Sequence, residues 1–457
     1  MNLLELKNKQ VAILGFGEKE GKATLEYLLK HEIRPTLFDQ RVWEDFDLET
    51  QNHIKEKNVP FVFGPGYLDE LRSFEIAFRN PAVPFYLPGL QNLIKRGLIV
   101  TSQTKWFFEH CPAKIIGVTG TKGKGTTATL IAEILRLKFQ ISNSKYQAYL
   151  TGNIGKIQSF EFLDNLNPED LVVYELSSFQ LQDLDISPNI GVVLMTTSEH
   201  LDYHKNLNEY WDAKSNITKY QTAKDICVFN TDYEGSKYIG KLGNGKKLSF
   251  STKLEIPNCF IKDGFVTVDS KNIINLSKVQ LRGKHNWQNI CAATLVASTL
   301  GIEDSIIAKV VENFQGLEHR LEFVAEKNKI KFYNDSFSTT PETAIAAIES
   351  FTEPLILILG GSNKNSDFTE LGQVIKSTKN IKTIILIGSE AEKIRQYLPE
   401  YLSLKQGAGS MLKIFDQIKE IANSGDTVLL SPACASFDMF KNYMDRGEQF
   451  KKLVNFF

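Results

Sequence analysis

The sequence predicts an α/β protein of three domains, and three observations support this. The chain has 457 residues, which is about three domains at roughly 150 residues each. Short apolar runs alternate with helix-length amphipathic stretches, as in βαβ units. Two of the early apolar runs lead directly into glycine-rich turns. We therefore expect a Rossmann-like N-terminal domain over 1–106, a central domain of the mononucleotide-binding P-loop type over 107–317, and a Rossmann-like C-terminal domain over 318–457.

The N-terminal domain begins with a strand–turn–helix–strand pattern. Gln10–Leu14 predicts a buried strand, Gly15–Gly21 a glycine-rich turn and Lys22–Lys30 a helix. A second strand is predicted at Pro35–Asp39, and shorter units continue to about Trp106.

The central and C-terminal domains repeat this rhythm. A strand at Lys114–Val118 enters a second glycine-rich turn, and a long helix runs from about Gly125 to Lys138. Leu171–Glu175 and Ile190–Met195 are continuous apolar runs, which is typical of parallel strands covered on both faces. Further strands are predicted at Leu355–Leu359, Thr383–Ile387 and Thr427–Leu430.

Composition excludes several classes of protein. With 42% hydrophobic and 23% charged residues the chain is not disordered. Lys+Arg 53 against Asp+Glu 54 leaves no basic excess for nucleic-acid binding. The five cysteines form no CxxC pair, which favours a reducing compartment. Because no apolar run approaches about 18 residues and no signal-peptide pattern opens the sequence, we expect a cytoplasmic monomer without a membrane or nucleic-acid partner.

The most informative segment is Gly117–Thr127 (GVTGTKGKGTT), between a predicted strand and helix. Glycines there allow backbone N–H groups to approach phosphate oxygens, and the helix N-terminus adds partial positive charge. Two departures from the strict P-loop pattern are Val118 at the first glycine position and Gly125 after Lys124. We still predict a nucleoside-triphosphate site, formed by Gly120, Thr121, Lys122, Gly123, Lys124, Gly125, Thr126 and Thr127; which threonine binds Mg²⁺ stays open.

Polar groups follow the next strands and a helix beyond them. Glu175 ends one strand, His200 follows the next, and Lys214 lies on the helix after that. Open α/β sheets bind ligands at the carboxyl ends of their strands, so these groups are candidates for the same site as the phosphate loop.

Five motifs resemble those of the Mur ligases, ATP-dependent amino-acid ligases of peptidoglycan synthesis. They occur in the order of that family and span nearly the whole chain: TGNIG at Thr151–Gly155, ELSSFQL at Glu175–Leu181, GKHN at Gly283–Asn286, GLEHRLE at Gly316–Glu322 and LSPACASFDMFKN at Leu430–Asn442. The phosphate loop itself is closer to that of folylpolyglutamate synthases, which share the three-domain fold.

The resemblance implies a metal-assisted phosphoryl transfer. Lys124 and Thr126 match residues that bind the triphosphate and its Mg²⁺, and Glu175 and His200 match ligands of Mg²⁺, of which we expect two ions. Lys214 matches a lysine that the family carbamylates, and a carbamate offers the oxygen donors that a hard cation needs. Asn153 resembles the residue beside the reacting carboxyl group, and it completes a catalytic set with Lys124, His200 and Lys214.

The resemblance also assigns nucleotide contacts. Asn289 and Arg320 match positions that hold ATP, and Asp335 matches an acid near the adenosine.

The turn after the first strand allows two interpretations. Gly15–Gly21 (GFGEKEG), with Asp39 as the ribose acid, suggests NAD, although the spacing departs from the dinucleotide fingerprint. The family resemblance instead implies that Gly15, Gly17, Asp39 and Arg41 bind the uridine diphosphate of a sugar nucleotide.

In the C-terminal domain the resemblance implies that the substrate glutamate is bound by Thr339, Lys364, Ser436 and Tyr443. Tyr443 stands where the family usually has phenylalanine. A cation and hydroxyl groups suit a dicarboxylate. Phe337 stands where the family usually carries a lysine, and we expect this to change how the amino acid is held.

The activity implied is ATP-dependent ligation of D-glutamate to UDP-N-acetylmuramoyl-L-alanine through an acyl phosphate, in peptidoglycan precursor synthesis. Two alternatives are a ligase of the same fold that uses L-glutamate and a ligase like the folylpolyglutamate synthases.

Overall fold

The computed structural model describes the chain except for residues 18, 155–156, 198–205, 284, 364–365 and 408. It forms two compact units: Met1–Leu276 with Gln288–Val311, and Ser277–Trp287 with Glu312–Phe457. Three parallel-rich sheets with intervening helices confirm the predicted α/β class. The first unit contains two of these sheets and the second contains one, and the predicted limits after residues 106 and 317 stay predictions.

The first sheet has the strand order β3-β2-β1-β4-β5 and is parallel throughout its described strands. Its order reverses beside β1, so the loops that follow β1 and β4 lie next to each other, where open α/β sheets bind ligands. Its strands are β1 (Val11–Leu14), β2 (Thr36–Asp39), β3 (Phe61–Phe63), β4 (Ile76–Arg79) and β5 (Ile99–Thr101), and its helices are α1 (Leu3–Lys7), α2 (Glu20–Lys30), α3 (Leu48–Lys57), α4 (Pro88–Lys95) and α5 (Gln103–His110).

The second sheet has the order β14-β13-β12-β11-β10-β9-β6-β8-β7, parallel from β7 to β12 and antiparallel from β12 to β14. Its strands are β6 (Lys114–Thr119), β7 (Ala148–Gly152), β8 (Leu171–Glu175), β9 (Ile190–Val193), β10 (Ile226–Asn230), β11 (Lys246–Phe250), β12 (Cys259–Lys262), β13 (Phe265–Val268) and β14 (Lys271–Asn275). The helices in this part of the chain are α6 (Lys124–Ile141), α7 (Ser159–Phe162), α8 (Ser178–Leu181), α9 (Leu207–Lys219), α10 (Glu234–Gly240), α11 (His285–Thr299) and α12 (Asp304–Asn313).

The third sheet has the order β15-β16-β20-β17-β18-β19, with an antiparallel β15–β16 hairpin on an otherwise parallel sheet. Its strands are β15 (Glu322–Lys327), β16 (Ile330–Asn334), β17 (Leu355–Gly360), β18 (Ile381–Ile387), β19 (Ser403–Gln406) and β20 (Thr427–Leu430), and its helices are α13 (Pro341–Ile348), α14 (Thr369–Ser377), α15 (Ala391–Arg395), α16 (Met411–Ile421) and α17 (Tyr443–Val454). Every residue of β17 is buried, as predicted for a strand covered on both faces.

The boundaries of the predicted elements shift by a few residues for identifiable reasons. The strand predicted at Ile190–Met195 ends at Val193, because the Met195 carbonyl accepts a hydrogen bond from the Thr121 N–H (2.6 Å) and so supports the phosphate loop. The helix predicted at Lys22–Lys30 is α2, and it begins at Glu20. Within the described chain, each helix is either too short or too polar to cross a bilayer.

The antiparallel hairpins were not predicted. Asp263 and Gly264 join β12 to β13 with φ of 48° and 79°, and Asn328 and Lys329 join β15 to β16 with φ of 52° and 61°. Two left-handed residues are the requirement of a type I′ turn. The Asp-Gly pair was therefore a usable sequence signal, whereas Asn-Lys is a weak one.

Candidate active site

The phosphate loop connects β6 to α6 and depends on glycine. Gly123 precedes the helix with φ of +87°, and a Cβ there would lie 2.1 Å from Asn289 Oδ1. The same Oδ1 accepts a hydrogen bond from Thr127 Oγ1 (3.3 Å). Thr127 is fully buried, whereas Thr126 is half-buried. Asn289, predicted to hold the nucleotide, therefore supports the loop that would carry the phosphates.

Two lysine ammonium groups converge on this loop. Lys124 Nζ donates to the carbonyls of Gly120 (2.9 Å) and Thr121 (3.0 Å). Lys214 Nζ, on α9, donates to the same Gly120 carbonyl (3.0 Å) and to Thr119 Oγ1 (3.2 Å). Chain positions 90 residues apart are thus brought to one oxygen atom, as the phosphate-loop interpretation requires.

Lys214 is buried, with 1% of its surface exposed. Its Nζ lies 4.8 Å from the centre of the Tyr210 ring, and the Tyr210 hydroxyl is 3.0 Å from Thr121 Oγ1. An aromatic face and two oxygen acceptors stabilise a cation in such a place. Tyr210 therefore links α9 to the phosphate loop, a role that sequence reasoning missed.

Strand pairing brings Asn153 next to Glu175. Gly152 and Glu175 are paired in register at the ends of β7 and β8, and the Asn153 N–H donates to the Glu175 carbonyl (3.3 Å). A Cβ at Gly152, whose φ is +93°, would lie 2.1 Å from that carbonyl oxygen. Glu175 is buried at the same carboxyl edge of the sheet from which the phosphate loop departs.

A cleft of about 480 Å³ opens at this edge. It gathers Lys124, Lys214 and Asn153 from the predicted catalytic set, together with residues of the ELSSFQL motif and of the first sheet. Its lining is Gly17, Lys19, Glu20, Asn80, Pro81, Lys124, Gly152, Asn153, Gln158, Ser177, Ser178, Phe179, Tyr210 and Lys214. Lys124 of the predicted phosphate loop and residues that follow strands of the first sheet therefore line one cavity within the first unit.

Asp39 and Arg41 hold the turn after β1. Asp39 Oδ2 accepts from the Phe16 N–H (2.8 Å), and the Arg41 guanidinium donates to both Asp39 carboxylate oxygens and to the Phe16 carbonyl (2.6 Å). Burial alone would raise the pKa of Asp39, but the hydrogen bonds from Arg41 and Phe16 outweigh it and lower that pKa. Asp39 is thus an ionised anchor, and Gly17 of the same predicted group lines the cleft.

Sequence reasoning also missed the contacts under the ELSSFQL motif. Arg79 is buried and donates to Asp183 (3.2 Å) and to the carbonyls of Phe179 (3.0 Å) and Val83 (2.7 Å). Gln180 Nε2 donates to Glu20 Oε1 (2.7 Å). Burial raises the pKa of Glu20 to about 7, against the lowering effect of Gln180 and Arg79. These contacts join β4 and α2 of the first sheet to the motif that lines the cleft.

In the second unit, Arg446 on α17 is the organising side chain, which no sequence signal marked. It is fully buried, and it donates to the Ser336 hydroxyl (2.9 Å) and carbonyl (2.8 Å) and to the carbonyls of Cys434 (3.1 Å) and Ala435 (3.3 Å). Burial lowers its pKa to about 10, so it stays charged at neutral pH. It thereby fixes the loop that carries Ser436.

The residues predicted to bind the substrate glutamate differ in exposure. Ser436 is buried, and Thr339 and Tyr443 are half-buried. The Tyr443 carbonyl accepts from Ser336 Oγ (2.7 Å), so Arg446 and Tyr443 contact the same hydroxyl. Lys364, assigned to glutamate, and His200, assigned to Mg²⁺, lie outside the described residues.

Asp335 is buried at the carboxyl end of β16. Its Oδ2 accepts from Ser431 Oγ (2.8 Å) and its Oδ1 from the Leu321 N–H (3.1 Å). Burial raises its pKa to about 7, although these hydrogen bonds and the nearby Arg320 lower it. Both carboxylate oxygens are thus occupied by the protein itself.

The described residues contain no group of three histidine, cysteine or acidic side chains that would hold a metal on its own. Mg²⁺ differs from Zn²⁺ in this respect, because it keeps several waters and binds one or two carboxylates together with substrate phosphates. The oxygen donors of Glu175 and Thr126 at the phosphate-loop edge fit that requirement.

Comparison with known proteins agrees with this geometry. The sequence model of the Mur ligase middle domain matches residues 118–297, and that of the Mur ligase glutamate ligase domain matches residues 319–434. Curated relatives match at up to 37% identity over 98% of the chain. The protein therefore belongs to the Mur ligase family, as the motifs predicted.

Among these relatives, the UDP-N-acetylmuramoylalanine--D-glutamate ligase of Clostridium kluyveri is 37% identical over 460 residues, covering 98% of this chain and 97% of that protein. The ligase of the same name from Acetivibrio thermocellus is 37% identical over 466 residues, with 99% and 97% covered.

Solved structures share the fold at low identity. The UDP-N-acetylmuramate-alanine ligase of Thermotoga maritima has a TM-score of 0.61 at 15% identity, with 98% of this chain and 99% of that chain covered. The MurF ligase of the same organism, solved in complex with ADP, has a TM-score of 0.58 at 16% identity, with 99% and 97% covered.

Proposed function

We propose that this protein joins D-glutamate to UDP-N-acetylmuramoyl-L-alanine at the expense of ATP, as the names of its relatives indicate. The observation that carries the proposal is the convergence of Lys124, Lys214 and Asn153 on one cleft, in a chain 37% identical to such ligases over nearly its full length. That it acts as a monomer in the cytoplasm stays a prediction.

The phosphate loop is proposed to bind the triphosphate. Its backbone N–H groups and Lys124 offer positive charge to the β- and γ-phosphates, with the N-terminus of α6 behind them. Thr126 is the better candidate for the metal, because the hydroxyl of the buried Thr127 is already bonded to Asn289. Bound Mg²⁺ would polarise the γ-phosphoryl group and screen its repulsion of the incoming carboxylate.

Lys214 is proposed to act as a carbamate. A buried ammonium beside Mg²⁺ would repel the ion, whereas a carbamate adds anionic oxygen. The position of Lys214 supports this, because it lines the same cleft as Lys124 and Asn153, where a carbamate would lie beside the predicted phosphate site. Glu175 and His200 are proposed as the remaining protein ligands.

In the proposed reaction the substrate carboxylate attacks the γ-phosphorus in line and forms an acyl phosphate and ADP. Asn153, at the cleft wall beside Glu175, is proposed to orient that carboxylate. The amine of glutamate then attacks the acyl carbon, and phosphate leaves with its bonding electrons. Lys124 stabilises the charge that develops on the transferred phosphoryl group.

The remaining assignments follow the family match. Gly15, Gly17, Asp39 and Arg41 are proposed for the uridine diphosphate, with Asp39 and Arg41 shaping the turn as well. Asn289, Arg320 and Asp335 are proposed for the nucleotide. Glutamate is assigned to Thr339, Lys364, Ser436 and Tyr443.

Phosphate release tests the proposal directly. Purified protein with ATP, Mg²⁺ and UDP-N-acetylmuramoyl-L-alanine should release phosphate with D-glutamate and not with L-glutamate. Release with L-glutamate alone would keep the ligase and overturn the stereochemistry. Silence with both, and release with a pteridine substrate, would favour the alternative related to the folylpolyglutamate synthases.

A further inference from the structure

Arg320 is presented by a strained turn. Its N–H donates to the Leu317 carbonyl (3.0 Å), and its two neighbours, His319 and Leu321, have φ of 63° and 45°. Left-handed backbone is unfavourable for side chains such as leucine and persists only when the surroundings hold it. Something must therefore brace both sides of this arginine.

The segment 335–337 supplies that brace. Asp335 Oδ1 accepts from the Leu321 N–H (3.1 Å), and the Phe337 N–H donates to the His319 carbonyl (2.9 Å). Both left-handed residues are thus bonded to the same short segment. The backbone of Arg320 is consequently fixed on its two sides.

The ring of Phe337 completes the arrangement. The guanidinium carbon of Arg320 lies 3.9 Å from the centre of the Phe337 ring. The Tyr443 ring packs edge-on against the same Phe337 ring, with ring centres 5.0 Å apart and an angle of 89° between the planes. A guanidinium over an aromatic face is held there electrostatically, and stacking restricts the orientation of its plane. A lysine at position 337 would instead place a like charge beside Arg320.

We propose that Phe337 is a positioning residue, which holds the Arg320 guanidinium in the orientation that receives the nucleotide. The inference rests on the proposed function, since the assignment of Arg320 to ATP belongs to it. The contribution of the Phe337 ring to ATP binding thus passes through Arg320.

A double-mutant cycle on the full-length protein tests this. Phe337→Leu keeps an apolar side chain and removes the ring face, so the KM for ATP should rise about 2- to 5-fold with little change in kcat. Phe337→Tyr keeps the face and should stay near wild type. In an Arg320→Ala background, Phe337→Leu should have no further effect on the KM for ATP, because the residue it acts through is gone.

Phe456→Leu is the matched control, at a phenylalanine that is 75% exposed near the end of the chain. Calorimetric titration with Mg²⁺ and ATP provides a readout that needs no turnover. Equal effects of Phe337→Leu with and without Arg320 would overturn the inference and leave the ligase function intact. An unchanged KM for ATP in Arg320→Ala would overturn both the inference and the nucleotide assignment of Arg320, while D-glutamate-dependent phosphate release would test the function separately.

Discussion

The cleft of the first unit and the Arg446 region of the second unit use positive charge in opposite ways. In the cleft, Lys124 and Lys214 meet at one carbonyl oxygen, and both line the cavity. Arg446 is fully buried and donates to Ser336 and to the carbonyls of the loop that carries Ser436. Both lysines also line a cleft and are proposed to meet a ligand there, whereas the buried Arg446 contacts only its own loops.

From this difference we expect substitutions in the cleft to change the catalytic rate and substitutions at Arg446 to change the free energy of unfolding. Cations that face phosphates act mainly in the transition state. A buried guanidinium that satisfies internal carbonyls acts on the folded state, because removing it leaves those acceptors unpaired. The four predictions below test this contrast.

The largest effect is expected at Lys214. Lys214→Ala should lower turnover by on the order of 10²–10³-fold or more, because the charge stabilisation at the phosphate loop is lost. Added acetate or another short carboxylate should restore part of the rate by replacing the carbamate oxygens. Phosphate release is the measurement, and Lys219→Ala, at an exposed lysine on the same helix, is the control. Full activity in Lys214→Ala without acetate would refute the carbamate assignment.

Arg446→Met should mainly lower the stability of the folded protein, in contrast to Lys214→Ala, which should mainly lower turnover. It removes donors from Ser336, Cys434 and Ala435, so the free energy of unfolding should fall by about 2–4 kcal/mol. Urea unfolding followed by circular dichroism measures this. Lys124→Ala, at the other region, should keep wild-type stability while losing activity. Equal stability losses in both variants would break the contrast between the two regions.

Each region also contains a buried carboxyl whose pKa burial raises to about 7, Glu20 in the first and Asp335 in the second. In the unfolded chain Glu20 ionises near 4.5, so the folded state is favoured by a bound proton, and its stability falls as pH rises from about 4.5 to 7. Glu20→Gln removes this titration. Between pH 5 and pH 8 the free energy of unfolding of wild type should therefore fall by up to about 3 kcal/mol more than that of Glu20→Gln. Parallel pH curves for the two proteins would argue that Glu20 is ionised in the fold.

The smallest effect separates the two threonines. Thr126→Ala should raise the Mg²⁺ concentration for half-maximal phosphate release about 10-fold, which corresponds to roughly one hydrogen-bond-strength contact. Thr127→Ala should change it much less, because that hydroxyl is bonded to Asn289. A Mg²⁺ titration at saturating ATP makes the comparison. The reverse order would assign the metal to Thr127.

The sequence predicted the fold well where apolar runs are long and continuous. The strands at Leu171–Glu175 and Thr427–Leu430 have the predicted bounds, because a fully buried parallel strand leaves an uninterrupted apolar run. The antiparallel β12–β14 segment was missed, since polar residues such as Thr267, Lys271 and Asn272 interrupt its apolar runs. Only the Asp263-Gly264 turn marked it.

For the site, motifs found the residues whose chemistry requires a particular side chain. Lys124, Lys214 and Asn153, which the phosphate-loop pattern and the family resemblance singled out, line one cleft, and their roles stay predictions. Arg79, Glu20 and Arg446 were missed, because a buried charge and its partner lie far apart in sequence. Arg79 and Asp183 are separated by 104 positions, and no periodicity connects them.

The contacts of Arg446 also make two earlier loops depend on a helix that comes late in the sequence. The loop at 334–338 and the loop at 434–436 are joined by a guanidinium on α17, which ends three residues before the end of this sequence. A nascent chain that lacks α17 leaves the carbonyls of Cys434 and Ser336 without that donor. The loop that carries Ser436 is therefore held by a helix that follows it in sequence, and a chain cut before position 446 would lack this support.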